Sequence, residues 1–321
     1  MIGVIGGGAW GTALAQVMAG GADVLLWARE SEVVAAINQA RANPDFLPGV
    51  TLSQQIRATS DLTALAGCPV WLVVAPAQHL RGVLAAADLT QRPQLVLCAK
   101  GIEAGSHKLM AEVVADVCDA PVAVLSGPTF AGEVARGLPT AVTLACADGE
   151  LGAGLVRKLV RPGFRLYLSD DVTGAEIGGA VKNVLAIACG VVDGAGLGLN
   201  ARAALIARGF AEMTRFGLAR GARAETLAGL SGLGDLVLTC SSANSRNFAL
   251  GLGIGQGKAA ADLLAATRTV AEGAATAPVL VAAARAAGVE MPICEAVAAL
   301  LTGAPLRETV AGLLERPLRA E

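Results

Sequence analysis

Histidine is nearly absent from this chain, which holds only His79 and His107 in 321 residues. A His-based catalytic triad or a His-rich metal site is therefore poorly supplied. The cysteines number seven, an odd count, and none forms a Cys-x-x-Cys pair. Cys68, Cys98, Cys118, Cys146, Cys189, Cys240 and Cys294 are widely scattered, which argues against a disulfide framework or a zinc knuckle. Most sit in apolar runs and read as buried, reduced thiols. Charge is scarce as well: charged residues make up 16%, the net charge is −2 and the pI is about 5.8. No basic footprint for nucleic acid is present. Hydrophobic content of 54% raises the question of a membrane. The longest uncharged runs are residues 1–22, with seven glycines and no basic leader, and 62–80, interrupted by Pro69 and Pro76. Neither reads as a spanning helix or a signal peptide. The expectation is a tightly packed cytoplasmic chain with no stable membrane insertion.

What is present is an ordered alternation. "IGVIG" reads as a strand, followed by a helix from about Ala9 to Ala19, and "ADVLLWA" as the second strand. "PVWLVVAP", "PQLVLCAK", "APVAVLSG" and "TAVTLACA" follow, each a short apolar run closed by a turn signal, and "FRLYLS" looks like the last strand. Helical stretches lie between most of them, which implies a parallel sheet covered on both faces. From Asp171 onward nearly everything reads as helix rich in Ala, Leu and Gly. "TGAE", 173–176, has the spacing of a capping box, with Thr173 as cap and Glu176 reaching back. The boundary falls near residue 170: residues 1–170 form a dinucleotide-binding domain and 171–321 a helical substrate and catalytic domain. With no flexible linker in sight, the two should share an extensive interface. No internal repeat is visible.

The dinucleotide assignment rests on Gly6-x-Gly8-x-x-Gly11, placed directly after a strand and opening a helix. Gly6 makes the tight turn, Gly8 lets the backbone approach a pyrophosphate, and Gly11 lets helix and strand pack closely. The helix start then offers free N–H groups to phosphate. The fold class is α/β: a Rossmann-like doubly wound sheet, then an all-helical domain. The second strand ends "LLWARE". An NAD site usually places an acid there for the ribose 2′-hydroxyl, whereas here Ala28 and Arg29 stand at the end, with Glu30 following. Arginine suits the 2′-phosphate of NADP, so the cofactor is expected to be NADP or NAD, with NADPH preferred. A solvated surface charge is the plainer reading of Arg29.

A second signal lies in "GGAVKNVLAIACG", residues 178–190, where Lys182 and Asn183 interrupt a run of small apolar residues. A buried cation costs several kcal/mol unless paired. Lysine's pKa of about 10.4 falls on desolvation, toward what a general acid near neutrality needs. The alternative is a lysine that snorkels at a helix edge.

"SGPTFAGEVARGLPTAV", "GAEIGGAVKNVLAIACGVVDG", "GLGDLVLTCSSANSRN" and "VAEG" occur in this order behind the glycine loop. Together they resemble the NAD(P)-dependent glycerol-3-phosphate dehydrogenases of the bacterial soluble type, over nearly the whole chain. The resemblance implies reversible reduction of dihydroxyacetone phosphate to sn-glycerol 3-phosphate, a precursor of the phospholipid backbone. By position, Lys182 resembles the catalytic lysine, and Asn183 its polar support. Gly178, Gly179 and Ala180 would leave room for nicotinamide or substrate. Lys100 would contact both substrate and cofactor. Gly127, Thr129, Asp235, Ser245, Arg246 and Asn247 would meet the substrate, with Arg246 also reaching the cofactor; Asp235, facing the site from the helical domain, would also stabilise and orient the Lys182 ammonium. Trp10, Ala131, Val270 and Glu272 would touch the cofactor. Thr129 stands where Ser is common and keeps the hydroxyl; Phe46 stands where Tyr is common and loses it.

Plainer readings accompany several of these. Asp235 could be a helix N-cap after Gly234, and Ser245-Arg246-Asn247 a polar turn. His79 could approach the cofactor or sit on a surface turn; His107 reads as structural, and Leu199 stands where relatives often carry Asp. Two competing functions are a related two-domain dehydrogenase, of 6-phosphogluconate or a hydroxyacid, and a catalytically silent dinucleotide-binding regulator. The motifs in the helical half disfavour the first. Lys182, Lys100 and Asp235 together disfavour the second, because a sensor needs no proton donor. The expected partner is a small-molecule substrate, and a homodimer is compatible with the sequence.

Overall fold

The computed structural model describes residues 1–266 and 270–315. Eight strands form one sheet: β1 (Ile2–Ile5), β2 (Val24–Trp27), β3 (Ile56–Thr59), β4 (Val70–Val73), β5 (Gln94–Leu97), β6 (Val122–Ser126), β7 (Thr140–Ala145) and β8 (Phe164–Ser169). Their order is β3-β2-β1-β4-β5-β6-β7-β8. The sheet has helices on both faces, so its inner strands are apolar throughout: all four residues of β1 and all four of β4 are buried. Successive side chains serve opposite cores. Leu72 and Val96 join one apolar cluster, and Trp71, Val73, Leu95 and Leu97 the other.

The expectation of a parallel sheet holds from β3 through β6. It fails at the far edge, where β7 runs antiparallel to β6 and β8 follows β7 in parallel. A parallel crossover must carry the chain back along the sheet. The 127–139 segment does not: it holds only the five-residue helix Ala131–Ala135, which packs against the helix Ala9–Met18. The chain therefore enters β7 from the end at which β6 leaves. Strand β3, "IRAT", was not among the sequence-read strands; it is four residues long and carries the exposed Arg57.

The helical half is built around one helix, Val172–Gly194, in which every residue from Gly174 to Val192 is buried. A helix apolar on all sides must be enclosed. It is the one described helix long and apolar enough to cross a membrane, and its most apolar window is wholly covered by protein. Helices Gly198–Ala219, Asp235–Cys240, Arg246–Gly255, Glu272–Ala286 and Pro292–Leu301 surround it. Glycine allows the closest of these contacts: a Cβ on Gly190 would overlap the Phe248 carbonyl oxygen.

The N-cap of this central helix is not Thr173. Asp171 fills that role, its Oδ1 accepting from Gly174 N at 2.8 Å while Oδ2 accepts from Arg223 N at 2.8 Å. Aspartate is as good a cap as threonine, and here it also ties down a second segment. Glu176 does not reach back either. Its Oε1 accepts from Ala111 N at 2.8 Å, at the start of the helix Met110–Val117. The two halves are thus stitched together by a buried acid.

Candidate functional site

A cleft of about 1010 Å³ opens where the glycine loop and the strand ends face the helical half. The chain order of the sheet reverses between β1 and β4, and a ligand crevice forms at such a switch point. Gly6, Gly8, Trp10 and Gly11 line its floor. Gly6 adopts φ +121°, and a Cβ on Gly11 would overlap the Gly6 carbonyl oxygen. Around Gly8 there is open space. The helix Ala9–Met18 starts at Gly8 without any side-chain cap. A strained glycine turn, open space and uncapped N–H groups fit a pyrophosphate. The indole Nε1 of Trp10 is buried without a hydrogen-bond partner. Asn43, absent from the sequence reading, braces the loop: its Nδ2 donates to Gly7 O and Thr12 Oγ1, both at 2.8 Å. Nothing local to Asn43 signals this, because its partners lie more than thirty positions away.

Arg29 stands at the cleft rim with its side chain 78% exposed, and it pairs with Glu30 at 2.8 Å. Ala131, Val270, Phe46 and His79 also face the cleft. His107 and Leu199 do not line it. Glu272 closes one side, its Oε1 accepting from Ala77 N at 3.2 Å across the two halves. Burial pushes its carboxyl above the ordinary value.

At the other end of the cleft, Lys182 and Lys100 converge on one acid. Lys182 Nζ donates to Asp235 Oδ1 at 2.8 Å and to Thr239 Oγ1 at 3.0 Å. Lys100 Nζ donates to Asp235 Oδ2 at 2.6 Å and to Gly127 O at 3.2 Å. Both lysines line the cleft, whereas Asp235 is fully buried behind them. Asp235 and Gly127, read as substrate contacts, do not line the cleft themselves: Asp235 meets it through the two lysines, and Gly127 through Lys100 and Thr129. A carboxylate stripped of water gains more from two ammonium groups than from one ligand hydroxyl. Nor is Asp235 a cap: Gly234 holds that position and Asp235 begins the helix Asp235–Cys240.

Opposed effects act on Lys182. Burial drives its pKa down, Asp235 raises it, and Lys100 lowers it, with a net fall from 10.5 to about 8. Desolvation wins. Burial alone would raise the Asp235 carboxyl, but Lys100 and Lys182 together hold it below the usual range. Thr239 was missed in the sequence, although it lies one helical turn after Asp235 on the same face.

The glycines beside Lys182 do not make room for a ligand. The space at Gly178 is filled by the backbone of Ser231 and Gly232, and that at Gly179 by Ser126 and the stem of Lys100. Asn183 supports the site as read: its Nδ2 donates to Lys100 O at 3.4 Å and its Oδ1 accepts from Asn247 Nδ2 at 3.0 Å. Asn247 Oδ1 in turn accepts from Gly273 N at 2.9 Å. Ser245, Arg246 and Asn247 all line the cleft, but not as a simple polar turn. Ser245 Oγ caps the helix Arg246–Gly255 through Phe248 N, and Asn247 is buried in the amide chain. Arg246 is the exposed cation of the three. Thr129 lines the cleft with its hydroxyl 3.2 Å from Gly127 O. Among the described residues no group of three or more His, Cys, Asp or Glu converges as a metal site.

Known proteins share both the sequence and the fold. Residues 1–152 match the family profile for the N-terminus of NAD-dependent glycerol-3-phosphate dehydrogenase, and 171–311 match the profile for its C-terminus. A glycerol-3-phosphate dehydrogenase [NAD(P)+] of Novosphingobium aromaticivorans is 64% identical, covering 100% of this chain and 98% of the relative. One from Erythrobacter litoralis is 62% identical, covering 100% and 97%. A crystal structure of glycerol-3-phosphate dehydrogenase from Coxiella burnetii superposes with a TM-score of 0.93 at 40% identity, covering 98% of each chain. With both halves matched in order around one cleft, the chain belongs to the NAD(P)-dependent glycerol-3-phosphate dehydrogenase family.

Proposed function

We propose that this chain interconverts dihydroxyacetone phosphate and sn-glycerol 3-phosphate with Lys182 as the general acid and base. The observation that carries the reading is the buried Lys182–Asp235–Lys100 cluster at the cleft. When bound, the nicotinamide cofactor supplies the hydride for reduction and accepts it in oxidation. Lys182 in its ammonium form gives a proton to the oxygen on carbon 2 as that oxygen becomes an alkoxide. In oxidation, neutral Lys182 removes the proton from the same hydroxyl. A pKa of about 8 makes both forms accessible near neutrality. Asp235 orients the ammonium and keeps it charged against desolvation. Lys100, which also lines the cleft, adds positive charge beside the developing oxyanion. Arg246 anchors the phosphate, for which a permanent cation with a planar fork is suited.

Arg29 supports a preference for NADPH, through the 2′-phosphate. Residues 1–170 would then hold the cofactor and 171–321 the substrate and proton donor, in line with the last strand ending at Ser169 and the central helix starting at Val172. Glycerol 3-phosphate made here would feed phospholipid synthesis in the cytoplasm. Substrate profiling with several phosphorylated ketones, followed by nicotinamide absorbance, tests the reading. Turnover of dihydroxyacetone phosphate well above the others supports it. Failure to turn over any of them would leave the regulator reading.

A further inference from the structure

We infer that Gly178 is a positioning residue, whose missing side chain seats the π-helical turn Leu230–Gly234 and so sets Asp235 between the two lysines. This rests on the proposed role of Lys182. The turn is a local widening of the helical path, closed by Gly234 N donating to Gly229 O at 3.0 Å. Single π turns of this kind re-aim the residues that follow them. Asp235 is the first residue after it.

The turn rests directly on the central helix. A Cβ at Gly178 would overlap the Ser231 carbonyl oxygen, and would lie 2.8 Å from the Ser231 carbonyl carbon and 2.9 Å from Gly232 Cα. All three atoms are backbone, so no side chain can swing aside. At the neighbouring Gly179 the obstacles are side-chain atoms, Ser126 Oγ at 3.0 Å and Lys100 Cγ at 3.2 Å, which can yield. Lys182 lies four positions after Gly178, and Asp235 four positions after Ser231. The two helices therefore present a glycine–backbone contact and then, one turn further on, the ion pair. Carboxylate-to-ammonium distances of 2.6 and 2.8 Å leave no slack. Lifting the turn by even one ångström takes Asp235 out of hydrogen-bond range of both lysines.

Displacement of Asp235 has a signature that general loosening lacks. Asp235 opposes the burial-driven fall of the Lys182 pKa. Once it is withdrawn, Lys182 loses its proton at lower pH, and the alkaline limb of the reduction rate moves toward acid. Loss of packing alone would admit water, relieve the burial that lowers the Lys182 pKa, and move that limb toward alkali instead.

The experiment is a double-mutant cycle on the full-length enzyme: Gly178→Ala, Asp235→Asn and the pair. It reads kcat for dihydroxyacetone phosphate reduction, NADPH affinity and the pH profile. Gly178→Ala should lower kcat about thirtyfold or more, about 2 kcal/mol of barrier, and shift the alkaline limb to lower pH. NADPH affinity should stay within about twofold, because the glycine loop is remote from the turn. In the Asp235→Asn background, the same Gly178→Ala change should cost less than about threefold. Equal cost in both backgrounds, or an unshifted pH profile, would overturn the inference. Should Gly178→Ala not fold, Asp235→Glu decides. A backbone held this firmly cannot absorb an extra methylene, so kcat must fall about tenfold or more with NADPH binding kept; near-wild-type kcat overturns it. Lys182→Met, run alongside, reports on the proton donor separately, so failure of that reading is told apart from failure of this one.

Discussion

The two halves of the cleft present their positive charge in opposite ways. On the sheet side Arg29 stands in solvent, 78% exposed, with its sequence neighbour Glu30 as its ion-pair partner among the described residues. On the helical side Lys182 is 8% exposed and locked to Asp235, 53 residues away in sequence. An exposed guanidinium keeps its charge at any working pH and contributes through recognition. A desolvated ammonium holds its proton weakly enough to give it up. On the proposed function, the difference separates selection from chemistry: one half would choose the cofactor, and the other would move the proton.

The sharpest way to break that separation is Lys182→Met. It keeps length and apolar bulk, and leaves Asp235 its other partner, Lys100, which stands 2.6 Å away in the unsubstituted protein. The melting temperature should hold or rise, because a buried charge is removed. NADPH affinity should persist, while single-turnover reduction falls by about 10²–10⁴-fold. A variant that turns over within about tenfold of wild type would make Lys182 a packing residue and leave Lys100 as the next candidate.

Arg246→Ala should come next in size. It sits on the helical side but is exposed, so it should behave as a recognition charge. The KM for dihydroxyacetone phosphate should rise by about tenfold to a hundredfold, the worth of roughly 1.5–3 kcal/mol for a charged hydrogen bond. A KM within about twofold of wild type would remove it as the phosphate anchor. Arg29→Ala should be smaller again. An exposed cation on a phosphate suggests about a tenfold loss of kcat/KM with NADPH, and little change with NADH. Equal losses with the two cofactors would contradict a 2′-phosphate contact.

Legibility in the sequence follows the same division. The glycine loop was readable because its residues act locally: Gly6, Gly8 and Gly11 form one turn between one strand and one helix. The Lys182 anomaly was readable as a charge in an apolar helix, and Asp235 as the carboxylate near it, but the Thr239 contact and the Lys100–Asp235 pair were not. Thr239 contributes through a spacing that only matters once Asp235 is known to face Lys182. Asn43 acts on Gly7 and Thr12 from a distant turn, and no local pattern marks it. The direction of β7 was invisible because alternation of strand and helix does not say where a connection re-enters the sheet. Thr173 was chosen over Asp171 because a capping box is a local template, while the choice was made by long-range bonds from Arg223 and Ala111.

A separate expected effect concerns stability rather than turnover. Burial raises the Glu176 pKa from 4.5 to about 8, against the Ala111 N–H bond; Glu112 and Arg220 are the charged groups that act on it. A carboxyl whose folded pKa is raised binds more protons folded than unfolded between those two values. Its contribution is therefore complete below about pH 4.5 and is lost as pH rises through about 8. Glu176→Gln keeps an acceptor for Ala111 N without titrating. The stability difference between variant and wild type should grow in favour of the variant by about 4 kcal/mol from pH 5 to pH 9. Chemical denaturation at the two pH values checks this, and a constant difference would mean that Glu176 does not titrate in the folded state.

The central claim is that burial turns Lys182 into a proton carrier near neutrality, and its proton affinity can be read directly. The chain has five lysines, so carbon-13 labelling at lysine Cε gives five resonances, with Lys182 identified by its loss in Lys182→Met. The Lys182 resonance should titrate near pH 8, well below the ordinary lysine value of about 10.4. A Lys182 resonance that titrates above pH 10, as an ordinary lysine does, would contradict that claim.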